Sequence, residues 1–147
     1  MWADRLRNVK SLMEERGYEC LFISPGPNLR YLTGFYFPYP GEAWDAIWNE
    51  VKVGLINDVG RKVIGKGGYG KYFRHGIGHG LGLEVHEVPH VTEFEDVEMV
   101  LQAGLVMIIE PAVYLLGEFN VRIEDDVLVT DGGKEILSTP GKEFVQI

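Results

Sequence analysis

The sequence predicts an α+β fold in which the helices come first and the strands follow. Apolar residues at helical spacing are concentrated before Gly67, whereas the chain beyond Tyr72 carries strand-like apolar stretches separated by turns. The strand-like stretches are LEVHE, VMIIEPAVYL and VRIEDDVLVT, and DGG (131–133) is typical of a turn. A run of helices followed by a run of strands favours α+β over a regular α/β alternation.

The first helix is predicted over residues 3–16, where Leu6, Val9, Leu12 and Met13 recur on one face and Gly17 supplies a stop. The stretch CLFIS (20–24) then predicts a short buried strand. PGPN (25–28) is turn chemistry, and the aromatic and proline-rich segment after it has the character of a junction.

Two further helices are predicted before the strands begin. The first covers residues 42–56, with Ala43, Ile47, Trp48 and Val51 on one face. The second, in VGRKVIGKGGYG (59–70), is shorter, because glycines within it weaken a helix and the glycine pair at 67–68 ends it.

Composition restricts the classes of function. The 147 residues, 46% of them hydrophobic, suffice for one folded domain, and a net charge of −8 argues against a nucleic-acid-binding surface. The single cysteine, Cys20, cannot form an internal disulfide and is expected to be buried and inert. No apolar stretch is long enough to span a bilayer, so a soluble cytoplasmic protein without membrane contact is predicted.

The stretch HEVPH (86–90) has the letter pattern of a zinc protease, which requires both histidines on one face of a helix. Pro89 inside the motif costs a helix about 3 kcal/mol, and glycines at 76, 78, 80 and 82 oppose a helix before it. We therefore expect Pro89 to mark a turn, and Glu87 and His90 to be incidental.

The glycine-rich loop HGIGHGLG is a better candidate for a site. Glycines permit close approach of other groups, so such a loop can direct an imidazole into a site. On spacing alone, His75 and His79 could equally be ordinary polar loop residues.

Two glutamates add to this candidate. Glu110 interrupts an apolar run, where a carboxylate is costly to bury unless it is paired or metal-bound. Alternation places Arg122, Glu124 and Asp126 on one face of a later strand, and neighbouring strands would bring Glu110 and Glu124 together. Carboxylates near a histidine suit Mn, Co or Zn, whereas a simple ion pair between Glu124 and Arg122 is the alternative.

At these residues the chain resembles the Xaa-Pro dipeptidase (prolidase) group of the pita-bread metallopeptidases. The matching stretches are GYGKYFRHGIGHGLGLEVHEVP, LQAGLVMIIEPAVYL and VRIEDDVLVTDGGKEILS. Residues 5–35 resemble the start of the family's N-terminal domain, and residues 43–67 resemble helices that precede its histidine loop. The resemblance therefore implies the C-terminal half of a pita-bread fold (41–147) preceded by a short helix–strand piece of the N-terminal domain (1–40), together forming one compact folding unit.

The resemblance implies hydrolysis of dipeptides or peptides at an Xaa-Pro bond by water activated at two divalent metals. It assigns His79, Glu110 and Glu124 as metal ligands, with Glu110 beside the attacking water and Glu124 bridging the metals. His86 would act in catalysis by contacting substrate or stabilising the transition state. His75 and Arg122 would contact substrate or support the ligands.

The chain departs from the family pattern because the family site also needs two aspartates from a D-x-G…D stretch. Ahead of the histidine loop, the D-x-G triplet is Asp58-Val59-Gly60, which falls in a predicted helix, and Asp45 is an expected exposed helix position. An internal truncation is therefore expected, with at most one metal per chain and weak or no catalysis. The surface uncovered by such a truncation favours a homo-oligomer, most simply a dimer.

Overall fold

The computed structural model describes residues 2–18, 41–117 and 119–138. The chain divides into two compact units, Met1–Phe37 with Gly141–Ile147, and Pro38–Pro140. The predicted strand at 20–24, the turn at 25–28, Cys20 and the junction after them lie outside the described residues. Within the described residues, no helix is long and apolar enough to cross a membrane.

Helix α1 spans Trp2–Arg16 and confirms the first predicted helix. Gly17, at φ +70°, takes the left-handed conformation that glycine adopts at little cost. The Gly17 N–H donates to the Glu14 carbonyl (3.2 Å) and the Tyr18 N–H to the Met13 carbonyl (2.9 Å). This pair of bonds satisfies carbonyls that the helix end would leave free, so it fixes where α1 stops.

The single helix predicted over 42–56 is wrong, because the chain forms α2 (Gly41–Asp45) and α3 (Val53–Lys66) with an irregular segment between them. In that segment, the Glu50 N–H donates to the Leu101 carbonyl (2.9 Å) and the Leu101 N–H to the Val51 carbonyl (2.8 Å). These bonds to a distant segment replace helical ones, so tertiary pairing overrides the local periodicity.

The third predicted helix exists, but it begins at Val53 rather than at residue 59 and ends at the predicted glycines. Its buried face includes Ile56, Asn57 and Ile64. Gly60 lets the helix approach Ile77, because a Cβ added at Gly60 would lie 1.8 Å from Ile77 Cδ1. Helix α3 therefore packs against the segment that leads into the histidine loop.

The strands of the described residues form a five-stranded antiparallel sheet, in the order β2-β1-β3-β6-β7, and a two-stranded sheet, β4-β5. Their bounds are β1 Gly78–Gly80, β2 Glu87–Val91, β3 Val106–Ile109, β4 Ala112–Leu115, β5 Phe119–Arg122, β6 Asp125–Thr130 and β7 Gly133–Ile136. Helices before strands confirm the predicted α+β class. β1 lies between β2 and β3, and all three of its residues are buried.

Three strand predictions need correction. LEVHE is a loop of bends, and the strand begins only at Glu87, so Pro89 lies within a strand and not at a turn. VMIIEPAVYL is two strands separated at Glu110 and Pro111, and VRIEDDVLVT is two strands separated at 123–124. The turn predicted in DGG is confirmed at 131–132.

Candidate metal centre and active site

Glu110 and Glu124 stand at a shared bend where the chain passes from one sheet to the other. Before the bend, Ile109 pairs with Asp125 in the larger sheet, and after it Ala112 pairs with Arg122 in the smaller one. Pro111 has no N–H for a ladder, but its carbonyl accepts the Ile123 N–H (3.3 Å). Backbone pairing thus continues across the bend and holds the two glutamates opposite each other.

Glu110 is the centre of the site. Its backbone N–H donates to the Ile77 carbonyl (2.7 Å), which fixes the main chain beside the histidine loop. Glu110 Oε1 lies 3.9 Å from His79 Nε2, and Oε2 lies 3.3 Å from Arg122 Nη1. With its side chain only 16% exposed, the carboxylate is half-buried between a histidine and a guanidinium.

His79 is buried in the middle of β1, and the glycines on both sides are required by packing. A Cβ at Gly78 would lie 2.0 Å from the Ile108 carbonyl oxygen, and one at Gly80 would lie 2.2 Å from the Val88 carbonyl oxygen. The His79 ring places Nδ1 2.9 Å from the Gly80 carbonyl, so Nδ1–H donates there. Nε2 is then the ring nitrogen that faces Glu110, and a histidine held in this way through Nδ1 is typical of metal-binding histidines.

Glu124 is joined to Glu110 through Arg122. Arg122 Nη2 lies 3.1 Å from Glu124 Oε2, so the guanidinium bridges the two carboxylates. The predicted alternation is confirmed, because Arg122 and Glu124 are exposed while Val121 and Ile123 are buried. The ion pair between Arg122 and Glu124, which the sequence offered as the alternative, is therefore present. The two glutamates also lie opposite each other, as the sequence predicted.

The remaining predicted histidines flank this centre. The His86 ring lies with its centroid 4.3 Å from that of His79, at the end of the exposed loop 81–86. His75 Nδ1 donates to the Gly76 carbonyl (2.6 Å), so its Nε2 accepts the Tyr114 hydroxyl proton (2.8 Å). Arg61 also holds this segment, because its Nη2 donates to the His75 carbonyl (3.0 Å).

The HEVPH stretch is a strand, which excludes the helical geometry of a zinc protease, as expected. His90 is not aimed at the centre: its backbone N–H donates to Asp96 Oδ2 (2.7 Å), and its Nδ1 lies 3.1 Å from the same oxygen. The His90 N–H, with a smaller contribution from the His90 ring, holds the pKa of Asp96 below its usual value. His90 therefore anchors a surface loop.

The donors present fit a single divalent cation in part. His79 Nε2 and Glu110 Oε1 face each other and Glu124 pairs with Arg122, but no group of three His, Cys, Asp or Glu side chains in the described part of the chain converges on a metal position.

Sequence reasoning missed Tyr114, Arg61 and Asp125. Asp125 is buried, and its Oδ1 accepts the Ser138 hydroxyl proton (2.8 Å). Strand alternation alone could have identified it, because Asp125 falls on the apolar face with Ile123 and Val127. Nothing in the local sequence marks Tyr114 or Arg61, whose partners come from distant segments.

Comparison with known proteins matches this arrangement to one family. The sequence profile of metallopeptidase family M24 matches residues 41–131. The profile of the creatinase/prolidase N-terminal domain matches residues 5–57. The chain is 42% identical over 90 residues to an Xaa-Pro dipeptidase of Pyrococcus horikoshii, which covers 61% of this chain and 25% of that protein.

Solved structures agree with the sequence matches. The prolidase of P. horikoshii superposes with a TM-score of 0.68 at 37% identity, covering 72% of this chain and 30% of that chain. An X-Pro aminopeptidase of Thermotoga maritima superposes with a TM-score of 0.71 at 33% identity, covering 83% and 34%. The fold is thus part of the pita-bread prolidase fold.

The chain spans about a quarter of the length of the curated relatives it matches, 27% and 25% for two of them. The M24 match includes β1, β2 and the bend that carries both glutamates, which is the region where the predicted site residues meet. Membership implies the use of a divalent metal. On these grounds the chain belongs to metallopeptidase family M24.

Proposed function

We propose that this chain carries one part of an Xaa-Pro peptidase site and that it hydrolyses Xaa-Pro dipeptides weakly or not at all by itself. The observation that carries the proposal is the position of Glu110, whose carboxylate lies between His79 Nε2 (3.9 Å) and Arg122 (3.3 Å). In this proposal His79, Glu110 and Glu124 hold at most one Mn, Co or Zn ion per chain. A cytoplasmic location, which the lone cysteine favours, belongs to the same proposal.

The chemistry assigned to the site follows from the positions of its side chains. A bound divalent ion would lower the pKa of water and polarise a peptide carbonyl. Glu110 would take the proton of the attacking water at a carboxylate oxygen and pass it to the leaving amine. His86 lies beside His79 and is exposed to solvent, so it is available to contact a proline-containing peptide.

The weakness of the activity is attributed to the two missing aspartates of the family pattern. Asp58 is on an exposed face of α3, and exposed Asp45 pairs with Lys134 (3.1 Å), so neither replaces them near Glu110. Ligands and their supports act as a unit in such sites, and the loss of part of a set removes most of the activity.

The experiment is to measure the hydrolysis of an Xaa-Pro dipeptide by protein loaded with Mn or Co, together with its metal content. We expect at most one bound metal per chain and turnover that is slight or absent. Glu110→Gln should lower metal binding and abolish any residual turnover. Fast turnover that needs Glu110, with two metals bound per chain, would contradict the weak-activity proposal.

A second candidate is a non-catalytic oligomer, most simply a homodimer, that retains an empty or single-metal site. It is favoured by an exposed apolar group next to the edge strand β2, in which Leu83 is fully exposed, Val85 62% and Val88 57%. Apolar side chains beside an open strand edge promote association.

Sedimentation separates the two candidates. A dimer that the pair Leu83→Ser and Val85→Thr converts to monomer would support the oligomer. The control is Leu116→Ser, since Leu116 is equally apolar and 72% exposed but follows β4. A monomer with a tightly bound metal would exclude the oligomer.

A further inference from the structure

The glutamate of the HEVPH stretch has a position that its letter pattern does not explain. The Glu87 carboxylate points back along the chain, and its Oε1 accepts the Glu84 N–H (2.8 Å). The Gly82 N–H donates to the Glu84 carbonyl (3.2 Å), which closes a tight turn around the carboxylate. The three residues 82, 84 and 87 therefore form one small hydrogen-bonded unit.

Gly82 is fitted to this carboxylate. A Cβ added at Gly82 would lie 2.4 Å from Glu87 Oε2 and 2.6 Å from Glu87 Cδ, so a side chain at this position would push the carboxylate out of its present place. Gly82 is thus explained by the approach of Glu87 and not by a positive φ. The absence of a side chain at Gly82 therefore gives the Glu87 carboxylate room beside the turn.

The Glu87 carboxylate fixes a loop, residues 82–86, that neither burial nor strand pairing orders. Residues 82–86 are all exposed and form bends without strand pairing, so their conformation is not imposed by burial or by a sheet. An exposed loop of this kind loses backbone conformational entropy when it is ordered. The bond from the Glu84 N–H to a charged acceptor opposes that loss.

The last residue of the loop is His86, the histidine that the proposed function assigns to the substrate. His86, directly before Glu87, places its ring centroid 4.3 Å from that of His79. The position of His79 is fixed by strand β1. The position of His86 depends on the conformation of the loop 82–86.

We infer that Glu87 is a positioning residue, whose carboxylate holds the 82–86 turn and thereby keeps His86 against His79. This inference deepens the proposed function, since it concerns the histidine assigned to the substrate. It does not require that a metal is bound or that the chain cleaves a peptide.

The test is nuclear magnetic resonance of the protein without added metal. The nuclear Overhauser effect between the His79 and His86 rings should disappear in Glu87→Ala, and the Glu84 amide should exchange about tenfold faster. The contact between His75 and Tyr114 (2.8 Å) should remain, which shows that the fold survives. A merely structural residue would alter both contacts together.

Three further variants make the result decisive. Glu87→Gln keeps an oxygen acceptor and should retain the ring contact, whereas Glu84→Gln changes only an exposed side chain and serves as the matched control. If Glu87→Ala does not fold, Gly82→Ala tests the same contact from the other side, because its methyl group displaces the carboxylate. A folded Glu87→Ala, or a Gly82→Ala tested in its place, that keeps the ring contact overturns the inference.

The ring contact is independent of hydrolysis, so this inference and the proposed function fail separately. Fast turnover with two bound metals, in a protein whose Glu87→Ala variant loses the ring contact, supports the positioning role and contradicts the proposed function. Slight or absent turnover, in a protein whose Glu87→Ala variant keeps the ring contact, does the reverse.

Discussion

Two groups among the described residues combine a histidine with two carboxylates, but their surroundings differ. In the first, His79 and Glu110 are buried or half-buried and Glu124 is tied in through Arg122. In the second, His90 lies 3.1 Å from Asp96 and 3.7 Å from Glu95, with 39% of its side chain exposed. The residue types are nearly the same, so composition does not distinguish them.

The difference lies in the backbone that carries each group. The first is built on a central strand and on a bend shared by two sheets, whose ladders fix every main-chain atom near it. The second is built on an edge strand and the loop that follows it. A metal or catalytic site requires donors held in fixed positions, and of these two backbones the first is the one held by strand pairing on both sides.

The largest expected effect on stability concerns β1, the strand that carries His79 of the first group. Gly78→Ala should lower the free energy of unfolding by about 3 kcal/mol, because its Cβ would lie 2.0 Å from the Ile108 carbonyl oxygen and neither strand can move alone. Urea unfolding measures the effect. Gly65→Ala, in α3 with open space around it, should instead stabilise by up to about 1 kcal/mol.

Equal effects of the two alanines would mean that β1 is no more tightly packed than the helix surface. The contrast between a central and a peripheral histidine group would then lose its structural basis.

A smaller effect is expected from the guanidinium that joins the two glutamates. Arg122→Gln should lower the free energy of unfolding by about 1 kcal/mol at low salt, since it removes two partly exposed ion pairs. The deficit should shrink in high salt, which screens such pairs. Arg74→Gln is the control, because Arg74 is exposed and forms no ion pair with any described residue.

A salt-independent loss in Arg122→Gln would indicate that the arginine acts through packing and not through charge. An increase in divalent metal affinity in the same variant would show that Arg122 competes for Glu124.

The smallest effect belongs to the second group and depends on pH. Since the pKa of Asp96 is lowered in the folded protein by the His90 N–H, its charged form stabilises the fold above the unfolded-state value of about 4. That contribution is lost as the pH falls below about 4 and through the folded pKa. Asp96→Asn should therefore cost less than about 1 kcal/mol at pH 7 and nothing near pH 2.

Asparagine is the suitable replacement because Asp96 has a positive φ of 51°, which asparagine tolerates. Thermal unfolding of both proteins between pH 7 and pH 2 gives the difference. Glu95→Gln is the control, because it removes only the longer 3.7 Å contact and leaves the bond between His90 and Asp96 in place. A difference that grows toward acid would contradict the assignment.

Most of the candidate site could be predicted from the sequence, whereas several element boundaries could not. His79 and Glu110 were candidates because glycines flank the first and an apolar run surrounds the second, and strand alternation added Glu124. The family resemblance supplied their ligand roles. The helix predicted over 42–56 failed because Glu50 and Val51 bond to Leu101, far away along the chain. The predicted ligand roles and the domain boundary at residues 40–41 stay predictions.

The sequence by itself determined the α+β class and the family and indicated candidate site residues, because these depend on local periodicity and on side-chain types at fixed spacing. Only the tertiary structure decided that HEVPH is an edge strand with Glu87 directed back to the Glu84 N–H. It also decided that Arg122 stands between the two glutamates. Such contacts join residues through the paths of separate strands, and local sequence does not specify those paths.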